Sequence, residues 1–235
     1  MRVSGIPVEV VRKDIKNLHL GVYPPRGRVR VAAPRRLNDD AVRLAVVSRL
    51  GWIRRQQAAF ARQDRQSKRE MLTGESHYFF GRRYRLRVVE RPGPISIGLK
   101  GNGSIVLHGP PGTRADEREK ALQRWYRGRL RDQLPALLAK WDGKVGVSVL
   151  EVRIKRMRTR WGSCNPVARR IWLNLELAKK PPACLEYILV HEMVHIRERR
   201  HNERFRALLD GLMPNWRTHR ELLNRAPLSH EDWKY

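Results

Sequence analysis

The sequence predicts an α+β protein: an N-terminal antiparallel β-rich region with one long helix, then a helical domain carrying a small β-sheet. Three observations predict it. Short runs of alternating apolar residues, punctuated by Gly, Pro and Asn, fill most of the first 112 residues. Apolar residues recur at helical spacing over 38–66 and again beyond 113. Two strand-like runs, 147–154 and 171–175, then precede the most apolar helix of the chain. The expected partition is 1–112, 113–228 and a loosely held tail over 229–235.

In chain order, Val8 and Val10, then Leu18, Leu20 and Val22, then Val29 and Val31 alternate as three strands, with a turn at Pro24-Pro25-Arg26-Gly27 between the last two. Asn38-Asp39-Asp40 opens a helix that the spacing of Val42, Val46, Leu50, Ile53 and Phe60 carries to about Gln66. The polar stretch from Ser67 to Glu75 reads as loop. Residues 77–91 read as strands around a turn at Gly81, and Gly101-Asn102-Gly103 joins 95–97 to 104–107 as a hairpin. Gly109-Pro110-Pro111-Gly112-Thr113 opens like a phosphate-binding loop, but Arg114, Ala115 and Asp116 stand where Gly-Lys-Thr would be needed. It is better read as a helix entry, with Thr113 as cap and Asp116 in the first turn, the helix running to about Trp141 with an interruption or kink at Pro135. After His201, Asn202 caps a helix holding Phe205, Leu208, Leu209 and Leu212, and Pro214 starts another through about Arg225. No internal repeat is evident.

Composition narrows the classes. The chain of 235 residues has a formal net charge of +27, and 41% of its residues are hydrophobic, enough for a core. Such charge attracts polyanions, so non-specific nucleic acid is an expected partner beside any substrate. Cys164 and Cys184 form no disulfide framework or C-x-x-C pair. No apolar run is long enough to span a membrane, and charge interrupts the N-terminal residues too early for a signal peptide, so the expected location is cytoplasmic with no membrane partner.

The chemistry concentrates at His191-Glu192-Met193-Val194-His195, with His201 six residues on. On a helix, His191 and His195 lie one turn apart on the same side and can share a metal ion, with Glu192 directed at a water beside it. Two imidazoles leave a site one protein ligand short, and His201 is the nearest to supply it. Three nitrogens and an open fourth position describe a catalytic zinc. Pro181-Pro182 suits the entry to this helix, and Ile188, Leu189 and Val190 bury it.

Arg160-Trp161-Gly162-Ser163-Cys164, Leu173-Asn174-Leu175, the His-Glu helix and His201-Asn202-Glu203-Arg204-Phe205 together resemble the YgjP-like branch of the SprT-like zinc metallopeptidases. The resemblance implies a zincin-like catalytic domain, His191, His195 and His201 as zinc ligands, Glu192 as general base, and the Trp-Gly-Ser-Cys block on a loop beside the active site. A metzincin, with the same third-histidine spacing, would need glycine where Glu198 stands, and Met213 before Pro214 makes a poor Met-turn.

Zinc is therefore the expected cofactor and polypeptide the expected substrate. Glu192 would be catalytic, and Arg160, Trp161, Ser163 and Asn174 would contact substrate or the developing oxyanion, with residues 171–175 aligning an extended chain by main-chain pairing. The 160–165 loop also reads as a tight hairpin with Trp161 as a packing anchor, Gly162 as a turn residue and Cys164 as a small packed thiol. Two alternatives stand beside the peptidase. One is a nucleoside-triphosphate (UTP) pyrophosphatase, an activity also described for this branch. The other is a nucleic-acid-binding module with a vestigial metal site, against which the intact Glu192 counts.

Overall fold

The computed structural model describes residues 1–23, 27–62, 70–157 and 160–225, and among them eleven strands in three small mixed sheets alternate with six α-helices. The α+β class is as expected. The turn at 24–26, the expected end of the long helix at 63–66, the first residues of the polar loop at 67–69, residues 158–159 and the tail 229–235 lie outside the described residues.

The described residues divide into two compact units, 1–62 and 70–225. Residues 70–112, grouped with the N-terminal region on sequence grounds, pack in the second unit, because their buried side chains join the core that also holds the His-Glu helix.

In the first unit, β1 (Arg2–Val3), β2 (Ile6–Lys13), β3 (His19–Tyr23) and β4 (Arg28–Pro34) form a sheet in the order β1-β2-β4-β3. Sequence alternation suggested an antiparallel sheet, but β2 and β4 pair in parallel, because β3 lies at the far edge and β4 returns between them. The long helix breaks into α1 (Asp39–Val47) and α2 (Leu50–Arg62) at Ser48, whose N–H and hydroxyl turn back to the carbonyls of Leu44 and Ala45. Asn38 caps α1 through the Ala41 N–H as expected. Val8, Val29, Val31, Val42, Val46 and Ile53 are the centre of this unit's own core.

The second unit opens with β5 (Ser76–Phe79), β6 (Arg82–Glu90), β7 (Ser96–Lys100) and β8 (Ser104–Gly109), in the order β5-β6-β8-β7. This sheet repeats the first one. In both, a tight hairpin leads into a strand that pairs in parallel with the second arm of a following hairpin. Even the first turns match: Ser4 and Gly5 have φ of 48° and 80°, Phe80 and Gly81 have 43° and 80°. The repeat escaped the sequence because its side chains share burial pattern and turn geometry but few identities.

The helix α3 (Ala115–Val145) runs unbroken through Pro135 and ends at Gly146 in the left-handed conformation. Its cap is Arg114, one residue later than expected: the Arg114 N–H donates to Glu117, while the Thr113 hydroxyl turns to Pro110. Leu122, Tyr126, Leu130 and Leu134 carry α3 onto the core, and the Tyr126 hydroxyl donates to the Tyr78 carbonyl at 2.7 Å. A third sheet, β10-β11-β9, is built from β9 (Glu151–Lys155), β10 (Gly162–Asn165) and β11 (Arg170–Asn174). It backs onto α4 (Pro182–Arg197), which a 3-10 turn (Leu175–Lys179) introduces and α5 (Glu203–Leu212) and α6 (Trp216–Arg225) flank. No described helix is long and apolar enough to cross a membrane.

Candidate metal centre

The helix α4 starts at Pro182, whose missing N–H costs nothing in the first turn, and is anchored there by Glu186, which accepts from Lys140 Nζ at 2.5 Å and Trp141 Nε1 at 2.8 Å. Its buried face (Leu185, Leu189, Val190, Met193) fixes the rotation of the helix in the core. That rotation turns His191 and His195 toward a cleft, one turn apart, and sets Glu192 in its floor. After Arg197 the chain bends back, capped by the Glu198 N–H on Val194, and delivers His201 to the same point.

There the three Nε2 atoms converge: His191 and His195 each stand 3.0–3.1 Å from His201. Three imidazole lone pairs aimed at one point repel one another unless a cation lies among them, so the donor set fits a metal ion. The Nδ1 of His195 lies 3.0 Å from the Glu198 carbonyl, a bond that places the proton on Nδ1 and leaves Nε2 free to ligate. Burial, then the neighbouring imidazoles, then Arg220 push His191 down to about 3, and His201 is lowered in the same direction by burial and by His195, so both are neutral, the ligating form. Phe205, fully buried on α5, backs all three rings with its centroid 4.6–4.9 Å from theirs. Its position depends on Asn202, which caps α5 through the Phe205 N–H as the sequence suggested.

Glu192 is 5% exposed. Burial pushes its carboxyl up to about 8 against the opposing pull of Arg160. It is backed by β10 at Gly162. Gly162 is thus no turn residue: it lies in a strand, and the turn of that hairpin falls at 166–169.

The cleft, about 890 Å³, is lined by Arg160, Trp161, Ser163 and Cys164 on one side and by Tyr187, the three histidines, Arg199 and Arg220 on the other. Arg160, Trp161 and Ser163 therefore line the same cleft as the three histidines. Trp161 is also the packing anchor, half-buried against the core with Lys180 Nζ 5.4 Å from its ring centroid. Cys164 packs against the core and is not part of the histidine cluster; burial and Glu192 push its thiol up to about 11.

Asn174 is placed differently. It is buried away from the cleft, and its side chain is consumed by Met157 (N–H and carbonyl), the Arg160 carbonyl and the Glu176 N–H. It braces the approach to Arg160 rather than touching substrate. The strand holding it, β11, is the centre of its sheet, hydrogen-bonded by β9 and β10 on its two sides, and so has no edge for an extended chain. The edge is β10. The bond from the Asn174 N–H to the Trp161 carbonyl sets the ladder's phase, which turns the main-chain groups of Gly162 and Cys164 outward.

Sequence reading missed Tyr187, Arg199 and Arg220. Tyr187 had a signal, being four residues before His191 on one helix face. Arg220 had none, since only the packing of α6 on α4 brings it near.

A family model described as YgjP-like, metallopeptidase domain, matches residues 17–226. No curated protein matches the chain. Among solved structures, that of the metallopeptidase zymogen of Pyrococcus abyssi abylysin is similar, at 21% identity over 39% of this chain and 89% of its own, with a TM-score of 0.35, too slight a likeness to argue from.

Proposed function

The chain belongs to the YgjP-like metallopeptidase family, and from that premise we propose that it is a zinc-dependent peptidase whose ligands are His191, His195 and His201 and whose general base is Glu192. The observation that carries this reading is the convergence of three imidazoles beside a buried carboxyl in one cleft.

A zinc ion held by the three Nε2 atoms would supply Lewis acidity to the scissile carbonyl and to the water that attacks it. The chain's own groups supply the rest. Glu192 takes the proton of the attacking water and passes it to the departing amine. Arg160 and Ser163 line the cleft where negative charge would develop on the carbonyl oxygen. The outward main-chain groups of Gly162 and Cys164 offer an extended peptide a strand to pair with, the role the sequence reading gave to 171–175.

The test gives metal-loaded protein casein, with and without DNA, and UTP, beside Glu192→Gln. Glu192-dependent cleavage of casein, reduced on the order of a hundredfold or more in the variant, is the expected result. Glu192-dependent hydrolysis of UTP with casein intact would replace the peptidase by the pyrophosphatase reading. DNA binding without either reaction would leave a nucleic-acid module.

A further inference from the structure

The cleft around the histidines carries more positive charge than the peptide chemistry uses. Arg160 precedes β10, Arg199 follows α4 and Arg220 lies on α6, three sequence-distant places that the fold brings to one cavity. All three side chains are exposed, and among the described residues none is in ion-pair contact with a carboxylate. Among the described residues, the one carboxyl lining this cavity is Glu192, on its floor.

Beyond Pro166 and Val167 a second cavity of about 570 Å³ continues the first, sharing Arg199 and adding Arg197 and Arg200. Its one acid, Glu198, accepts from the Arg200 N–H, and the Arg197 guanidinium donates to the Val145 carbonyl. The excess charge along the whole run is therefore positive.

We propose that this cleft selects acidic polypeptide, with Arg199 and Arg220 receiving Asp and Glu side chains that flank the scissile bond. The proposal rests on the peptidase reading and names its substrate class. A chain paired with the β10 edge advances about 3.3 Å per residue, so side chains two residues apart fall roughly 7 Å apart along this rim, within reach of separate guanidiniums. Guanidinium and carboxylate match in geometry as well as charge. A phosphate-rich strand would meet the same charge, but the site lacks what such a strand needs besides charge. The Trp161 ring is packed on the core and under Lys180 rather than presented for base stacking, while the outward groups of β10 suit peptide units.

The experiment compares three synthetic peptides, identical except for Glu, Gln or Lys at the positions flanking the bond that the metal-loaded enzyme cleaves. The kcat/KM ratio of Glu to Lys peptide should be at least about tenfold and should decline with added salt. In Arg199→Glu/Arg220→Glu it should fall at least about tenfold; because the ratio is read within one variant, a partial folding loss cancels. Equal cleavage of Glu and Lys peptides, or an unchanged ratio in the variant, overturns the proposal. So does an oligonucleotide that competes at lower concentration than the Glu peptide. Should no peptide of any charge be cleaved, the peptidase reading is what fails. Fluorescence anisotropy with labelled Glu and Lys peptides then decides the charge preference: tighter Glu binding, lost in the variant, supports it, and equal binding removes it.

Discussion

Gly162 lies against Glu192 so closely that a Cβ at residue 162 would fall 2.5 Å from Oε1, 2.7 Å from Cγ and 2.9 Å from Cδ of the carboxyl side chain. The strand residue is glycine because the Glu192 side chain occupies the space where its own side chain would be. Gly162→Ala must either push the carboxyl aside or shift β10. Peptide hydrolysis should fall by about a hundredfold, a misplacement on the order of 1 Å being enough for that, with metal content unchanged. Metal analysis and a steady-state assay on the same preparation check it; wild-type turnover in this variant would mean that Glu192 is not held by the strand.

Metal binding should need all three imidazoles. The unaltered protein is expected to bind roughly one zinc per chain, and purified His195→Ala or His201→Ala at most a small fraction of that. Elemental analysis after dialysis reads this directly, and undiminished zinc in either variant would break the ligand assignment.

Phe205 touches all three rings and is 2% exposed, so its removal should act twice. Phe205→Ala should cost about 3–5 kcal/mol of stability as a core truncation. It should also weaken metal binding by about tenfold or more, because Phe205 packs against the His201 ring as well as the other two and helps to orient it. Phe205→Leu should recover most of the stability and less of the affinity. Chelator competition separates the two effects.

Lys180 gives a pH dependence with a defined sign. Burial is the first cause that lowers its ammonium, to about 8, against an ordinary 10.5. Below about pH 8 both folded and unfolded chains hold the proton and the cost of burying the charge is fully present. Between about 8 and 10.5 the unfolded chain binds more protons than the folded one, so this group's contribution to stability improves as pH rises, by about 3 kcal/mol in total. Denaturant melts of wild type and Lys180→Met across that range should converge toward high pH. A constant difference would mean that the ammonium is not desolvated as its burial implies.

Much of the centre was legible without coordinates because it is local. His191 and His195 meet because a helix repeats every 3.6 residues, and the short link to His201 lets the chain turn back within a few residues. The caps at Asn38 and Asn202 are local in the same way, each a side chain reaching the backbone three residues on. The hairpins at Gly81 and at 101–103 followed from turn residues between alternating runs.

What tertiary structure decided involves segments distant in sequence. Alternation says that a run is a strand but not which strand lies beside it, so the parallel pairing of β2 with β4, the repetition of that sheet and the central place of β11 could not be read from period alone. Asn174 stood in a recognisable block, yet its amide braces a loop, since β10 and β9 close both sides of its strand. Gly162 suggested a turn, because a glycine in one dimension carries no sign of the carboxyl thirty residues later that fills its missing side chain. Arg220 joined the cleft only through the docking of α6 on α4. Backbone periodicity and capping depend on a few neighbouring residues and are written in the chain itself; which surfaces exclude water together is settled only when all of them pack at once.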